Sequence, residues 1–183
     1  MQDLESKTQS IPMFHPLIIF SLAPIVLIGI ISQHMGDAFL APARAWLFDI
    51  GLVSQGGMQS RTLANTAAVI FSYIRLSTPF YFLGFIYVFK KDFQFYIKNP
   101  NTPNWKRFSL SLTLISGMLA FMVYITYFDG SNLESGRHII RAAATNSILY
   151  SLLASCHAMM FYFIAHLTFI SLIVQPIYLI KTR

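Results

Sequence analysis

Three runs of this chain, residues 12–31, 108–128 and 147–180, contain no charged side chain, and a fourth, 63–89, contains only Arg75. A helix rises about 1.5 Å per residue, so roughly 20 apolar residues cover a hydrocarbon layer of about 30 Å. Each run is long enough. Inside lipid the backbone must bond to itself, and a run of this kind does so as an α-helix. The expected fold class is therefore all-α, an integral membrane bundle of four transmembrane helices. A single membrane domain, residues 1–183, has spans at about 12–31, 63–89, 108–128 and 147–175. The last run is too long for one upright crossing and too short for two with a turn, so it reads as one tilted or kinked helix that leaves the bilayer near Gln175 and Pro176.

The rest of the composition agrees with a lipid solvent. Hydrophobic residues make up 55% of the chain and charged residues 11%, less than half of what a soluble domain carries. The net charge of +6 would suggest nucleic acid in a soluble protein, but here the basic residues sit between the apolar runs, where they orient spans. Lys90, Lys91, Lys98, Lys106 and Arg107 crowd the second loop. With Lys7, Lys181 and Arg183 they number eight, against four in the other loops, Arg44, Arg61, Arg137 and Arg141. The positive-inside rule then places the N and C termini and the second loop in the cytoplasm. Trp46, Trp105, Tyr124, Tyr127 and Tyr178 fit an interfacial aromatic belt. A cleavable signal peptide is the rival reading of the first run. Its small-residue site, Ala43 and Ala45, lies too far beyond the apolar stretch, and Pro24 with Gly29 reads as a bend in a permanent helix.

Chemistry at depth requires ionisable or nucleophilic groups, and all seven acidic residues fall outside the runs. That argues against an ion-coupled transporter or an acid/base catalyst. His157 and His166 are nine residues apart, hence on opposite helix faces at about 100° per residue, so they cannot share a metal; each is expected to bond a neighbouring helix or a carbonyl. No nucleophile elbow, phosphate loop or dinucleotide motif is present. The expectation is no catalytic residue, no metal and no cofactor. Cys156, the only cysteine, reads as a small buried hydrophobe. Arg75 lies roughly 22 Å from Lys90 along a helix, which suggests snorkelling to the outer headgroups, with pairing to an outer-loop acid or a partner as the alternative.

Small residues recur at helical spacing. Ser109, Thr113, Gly117 and Ala120 line one face of the third run, and Ser147, Ser151, Ser155 and Ala158 one face of the fourth. Such stripes drive close helix pairing in lipid. The plain expectation is that the two pack together. Antiparallel helices would match them only near the midplane, so part of the fourth stripe is expected to be free, and its outer half to receive a helix from another protein. Between the first two runs, residues 42–50 read as a short interfacial helix, and the polar Ser54, Gln55, Gly56, Gly57 and Gln59 as a mobile segment.

Three local stretches resemble the immunity proteins that protect bacteria from their own pore-forming colicins, the colicin A type in particular. Ser77, Thr78, Pro79 and Phe80 open an aromatic-rich span closed by Phe89, Lys90 and Lys91. Tyr127 and Phe128 close the third span. Asn132, Leu133, Glu134, Ser135, Gly136 and Arg137 lead through Arg141 to Ala144, Thr145 and Asn146. The resemblance runs from about Leu17 onward and is mainly topological outside the third loop; the Gly56 and Gly57 segment departs from it. It implies a multi-pass protein of the bacterial inner membrane that binds the channel domain of a pore-forming colicin within the bilayer and prevents pore opening, with no nucleic acid or small-molecule substrate. Its candidate toxin contacts are Arg75, Glu134, Arg137, Arg141, Asn146, Ser147, Ser151 and Ser155. The competing classes are an accessory inner-membrane subunit of a conjugation, secretion or entry-exclusion system, and a small transporter or intramembrane enzyme.

Overall fold

A computed structural model describes residues 16–52, 57–88, 105–174 and 176. The fold is all-α, as expected. In chain order it contains α1 (Pro16–Met35), a 3-10 turn (Asp37–Leu40), α2 (Ala41–Asp49), α3 (Ala64–Val88), α4 (Trp105–Tyr127), a second 3-10 turn (Leu133–Ser135), α5 (His138–Thr145) and α6 (Ser147–Phe169), which continues as a π turn through Ile170–Val174. The four long helices follow the four apolar runs to within a few residues. Among the described residues, Ser147–Ile173 is long and apolar enough by itself to cross a membrane, while the apolar stretches Ile19–Met35 and Leu112–Tyr127 are shorter. Both termini and residues 89–104 of the basic second loop lie outside the described residues, while Lys106 and Arg107 fall in the first turn of α4.

Helices α1, α3 and α6 pack on one another, and α4 is fastened mainly to α6. The core has an unusual composition. Beside Ile25, Ile70, Ile74, Tyr150 and Ala154 it holds Ser21, Ser32, Thr66, Ser72, Thr126, Ser147 and Ser151, all buried. The large apolar side chains point outward instead: Phe20, Phe80, Leu83, Leu110, Phe121 and Phe163 are each more than half exposed. In water this arrangement would leave far more contiguous apolar surface than a soluble monomer shows; small buried residues with bulky residues outside are what helix packing in lipid favours.

The tightest contact is between α1 and α6. Ser21, Ile25, Gly29 and Ser32 form the buried face of α1, and a Cβ on Gly29 would collide with the Ser151 side chain and the Ser147 carbonyl. The α6 stripe is therefore filled by α1, not by α4. The partner stripe is corrected with it: Ser109, Thr113, Gly117 and Ala120 all face outward on α4, and Gly117 has open space beside it. The reason is depth. Gly29 and Ser32 lie at the same end of the bundle as Ser147 and Ser151, so α1 matches the α6 stripe where α4 cannot. Cys156 is likewise exposed, not buried. It shares the outward face of α6 with Leu152, Met160 and Phe163.

Proline removes a helical N–H and orphans the carbonyl four residues earlier. Pro24 does this to Phe20, and Pro79 to Arg75. Tyrosine hydroxyls from neighbouring helices fill both positions. Tyr81 donates to the Phe20 carbonyl (3.4 Å), with Tyr73 donating to the adjacent Ser21 carbonyl (3.1 Å), and Tyr127 donates to the Arg75 carbonyl (3.3 Å). Two proline-containing helices are thus tied to their neighbours where their own ladders fail.

Candidate functional site: an outer platform and a recessed arginine

The short helices gather at one end of the bundle, where α1 finishes and α3 and α6 begin; in the expected orientation this is the outer end. The first N–H groups of a helix lack internal partners; those of α3, and those of the turn at residues 61–63 that leads into it, are met from three parts of the chain. Glu134 Oε1 accepts from the N–H groups of Arg61 and Thr62, both at 2.9 Å, and from the Thr62 hydroxyl at 3.1 Å. Ser60 Oγ accepts from the Leu63 N–H (2.9 Å) while donating to the Ala144 carbonyl (2.7 Å). Asp37 takes the N–H groups of Asn65 (3.1 Å) and Thr66 (2.8 Å), together with the Thr66 hydroxyl (2.6 Å). Because Thr66 gives its proton to Asp37, Ser32 Oγ, 2.6 Å away, is the donor to Thr66. Two carboxylates therefore sit at the positive end of the α3 dipole. The Thr62 backbone N–H, helped by its hydroxyl and by Arg61, holds the Glu134 carboxyl below its ordinary range.

The loop around this cap is pinned. The Gln59 N–H donates to the Ser131 carbonyl, the Leu133 N–H donates to the Gln59 carbonyl (both 3.0 Å), and the Tyr150 hydroxyl donates to the Met58 carbonyl. Gly57 adopts a positive φ of 95°, and its N–H meets the carbonyls of Ile125 and Asp129. A Cβ there would strike the Phe71 ring. The expectation of a mobile segment is thus corrected for Gly57 and Gln59; Ser54, Gln55 and Gly56 lie outside the described residues. Residues 42–50 do form a short helix, α2, with Trp46, Phe48 and Ile50 exposed.

Apart from Arg75, the candidate contact residues separate into three groups. Ser147, Ser151 and Ser155 are buried within the chain, and Ser147 donates to Gln33 of α1 at 2.8 Å. The serine stripe of α6 is therefore not free to receive a foreign helix, although Ile148, Leu149 and Leu152 on the same half of α6 remain exposed. Glu134 and Asn146 are caps: the Asn146 side chain accepts from the N–H groups of Ile148 (3.1 Å) and Leu149 (3.0 Å) and starts α6. Arg137 and Arg141 remain on the surface around Ile139, which is 86% exposed. Arg141 reaches back to the Gly136 carbonyl (3.3 Å).

Arg75 differs from expectation. It stands eleven residues from the start of α3, about 16 Å down the helix, and is only 8% exposed. It does not snorkel. Its Nε donates to the Thr126 carbonyl (3.0 Å), its guanidinium lies 5.9 Å from the Tyr127 ring centroid, and a terminal nitrogen is 3.5 Å from the Leu52 carbonyl. Ser72 donates to that same carbonyl at 3.3 Å. α4 ends at Tyr127, level with Arg75, so the outer end of α4 is recessed and backbone oxygens descend to the cation. Beside it Thr126 donates to the Met122 carbonyl (2.7 Å) and lies 2.9 Å from His157 Nε2; the Nε2–H tautomer satisfies both contacts. His157 therefore bonds a neighbouring helix, as expected.

Sequence reasoning missed Gln33, Thr66, Tyr73, Tyr81 and the capping role of Asp37, and read Tyr127 only as an interfacial aromatic residue that closes a span. The prolines carried a usable signal, since each requires an outside donor for a carbonyl. Among the described residues no group of three or more His, Cys, Asp or Glu side chains is clustered. The chain matches no protein-family description, no curated protein and no solved structure.

Proposed function

We propose that this chain is a four-span protein of the bacterial inner membrane, its ends and second loop cytoplasmic, that protects its cell by binding the channel domain of a pore-forming colicin and holding the channel closed. The membrane placement is supported by the outward distribution of large apolar side chains over a serine-rich core. The function rests on the third loop. Residues 132–137, which carry the resemblance to colicin A-type immunity proteins, are fastened to the start of α3 through Glu134 and end beside exposed Arg137, His138 and Ile139. A rigid, two-cation platform with an apolar centre suits recognition of a protein surface, where a few well-held side chains dominate affinity.

The mechanism is binding alone. The toxin reaches the membrane from the platform side and inserts a helical hairpin, and a diffusing trap in the same bilayer engages it before voltage opens the pore. Among the candidate contacts, Arg137 and Arg141 present accessible charge. Glu134 and Asn146 act by shaping the loop, and Ser147, Ser151 and Ser155 act by holding α1 against α6.

The test is survival and potassium efflux in sensitive bacteria expressing the chain, challenged with a panel of pore-forming colicins and one nuclease colicin. Protection against a single pore-former is the expected result. Protection against every toxin, the nuclease included, indicates blocked uptake and rejects the reading. No protection across a broad panel, with insertion verified, moves the assignment to an accessory subunit of an envelope machine.

A further inference from the structure

The recess at the end of α4 opens a groove of roughly 490 Å³ between α3 and the α4 terminus. Its apolar walls include Leu76, Pro79, Phe80 and Phe128, all continuous with the outward apolar surface; Phe80 and Phe128 are each 69% exposed. Among the described lining residues Arg75 is the only formal charge, and it is nine-tenths buried. The Thr126 carbonyl and the Tyr127 ring fix the guanidinium plane. A fixed cation under apolar walls is complementary to an amphiphile with one anionic head and a hydrocarbon tail. The planar guanidinium suits phosphate oxygens, and the low-dielectric surroundings strengthen the attraction.

We propose that this groove binds an anionic phospholipid, its phosphodiester accepting from Arg75 and one acyl chain lying along Pro79 and Phe80. The inference rests on the membrane placement given above and is independent of colicin recognition. A partner helix is the less suitable occupant. To reach Arg75 it would have to bring an acidic side chain in among Leu76, Pro79 and Phe80, whereas a lipid supplies in one molecule both the anion and the apolar tail that these walls match.

The full chain in detergent is titrated with palmitoyl-oleoyl phosphatidylglycerol or phosphatidylcholine, and retained lipid is counted by native mass spectrometry. The expected preference for phosphatidylglycerol is about fivefold, the roughly 1 kcal/mol of one charge contact near a membrane surface. Arg75→Gln removes the preference. Leu76→Trp fills the groove while keeping the cation, and lowers retention of both lipids about fivefold or more, a steric loss of about 1 kcal/mol. Arg44→Gln, a cation elsewhere on the surface, leaves the preference intact. Equal retention of the two lipids by the unaltered chain overturns the proposal, as does undiminished retention of phosphatidylglycerol by Leu76→Trp. A chain that stays in solution without detergent overturns the membrane placement instead.

Discussion

The Tyr127 hydroxyl lies 3.3 Å from the carbonyl of Arg75, the acceptor that Pro79 leaves without a helical N–H. One residue on α4 therefore repairs a defect in α3 and, through its ring, also faces the Arg75 guanidinium. Replacing Tyr127 with Phe keeps the ring and removes the donor. The expected cost is about 1 kcal/mol, that of one net hydrogen bond. In a Pro79→Ala background the helix supplies its own N–H, so Tyr127→Phe then costs little. A double-mutant cycle on thermal stability in detergent measures this coupling; additive effects reject the repair.

Gly29 sets the distance between α1 and α6. A Cβ there meets Ser151 and the Ser147 backbone, and a backbone cannot yield as the end of a side chain can. Gly29→Ala is expected to destabilise the chain by about 1–3 kcal/mol, as overpacked sites do, despite the better helix propensity of alanine. Gly117→Ala, with open space around it, stabilises or leaves stability unchanged. Equal thermal midpoints for the two variants would show that the α1–α6 contact is looser than described.

The four apolar helices were legible in the sequence because one physical signal, a long hydrophobic run with at most one charge, marks each of them. Helix pairing was not. The Ser147, Ser151 and Ser155 stripe was visible as a packing face, but its partner depends on depth, and Ser21, Ile25, Gly29 and Ser32 make a less obvious stripe because Ile25 interrupts the small residues. Glu134 and Asn146 stood out as polar residues in a distinctive loop and looked like contacts; their capping role requires knowing that residues 60–62 and 132–134 meet across some seventy intervening residues. Arg75 was placed by counting from Lys90, a measure that cannot show that α4 ends early beside it.

Glu134 makes acid stability a readable quantity. Its carboxyl is held below the usual range by the Thr62 N–H, so its folded pKa lies below its unfolded one. A depressed carboxylate contributes stability that is complete above the unfolded pKa and lost as pH falls through the folded value. The thermal midpoint is therefore expected to decline as pH drops below about 4.3, the ordinary glutamate value. Glu134→Gln lowers the midpoint at neutral pH and flattens that acid decline relative to the unaltered chain. Parallel pH profiles for the two proteins would remove Glu134 from the α3 cap.

Recognition and folding separate at the platform. Arg137 and Arg141 are exposed and their side chains make few contacts within the chain, so Arg137→Glu with Arg141→Glu should leave accumulation and the thermal midpoint within about 0.5 kcal/mol of the unaltered protein, as surface changes usually do. Ile139→Ala belongs with them, because its side chain is almost wholly exposed. Each is expected to weaken protection against the cognate pore-former; opposite charge at a two-cation contact costs several kcal/mol in specificity. Ser151→Leu behaves oppositely. It forces a large side chain against Gly29, so protein accumulation falls together with protection. Measuring membrane-inserted protein and toxin survival in the same cells distinguishes the two classes. If the platform variants accumulate normally and still protect in full, the contact lies elsewhere on the chain, and the outward face of α4 is the next surface to alter.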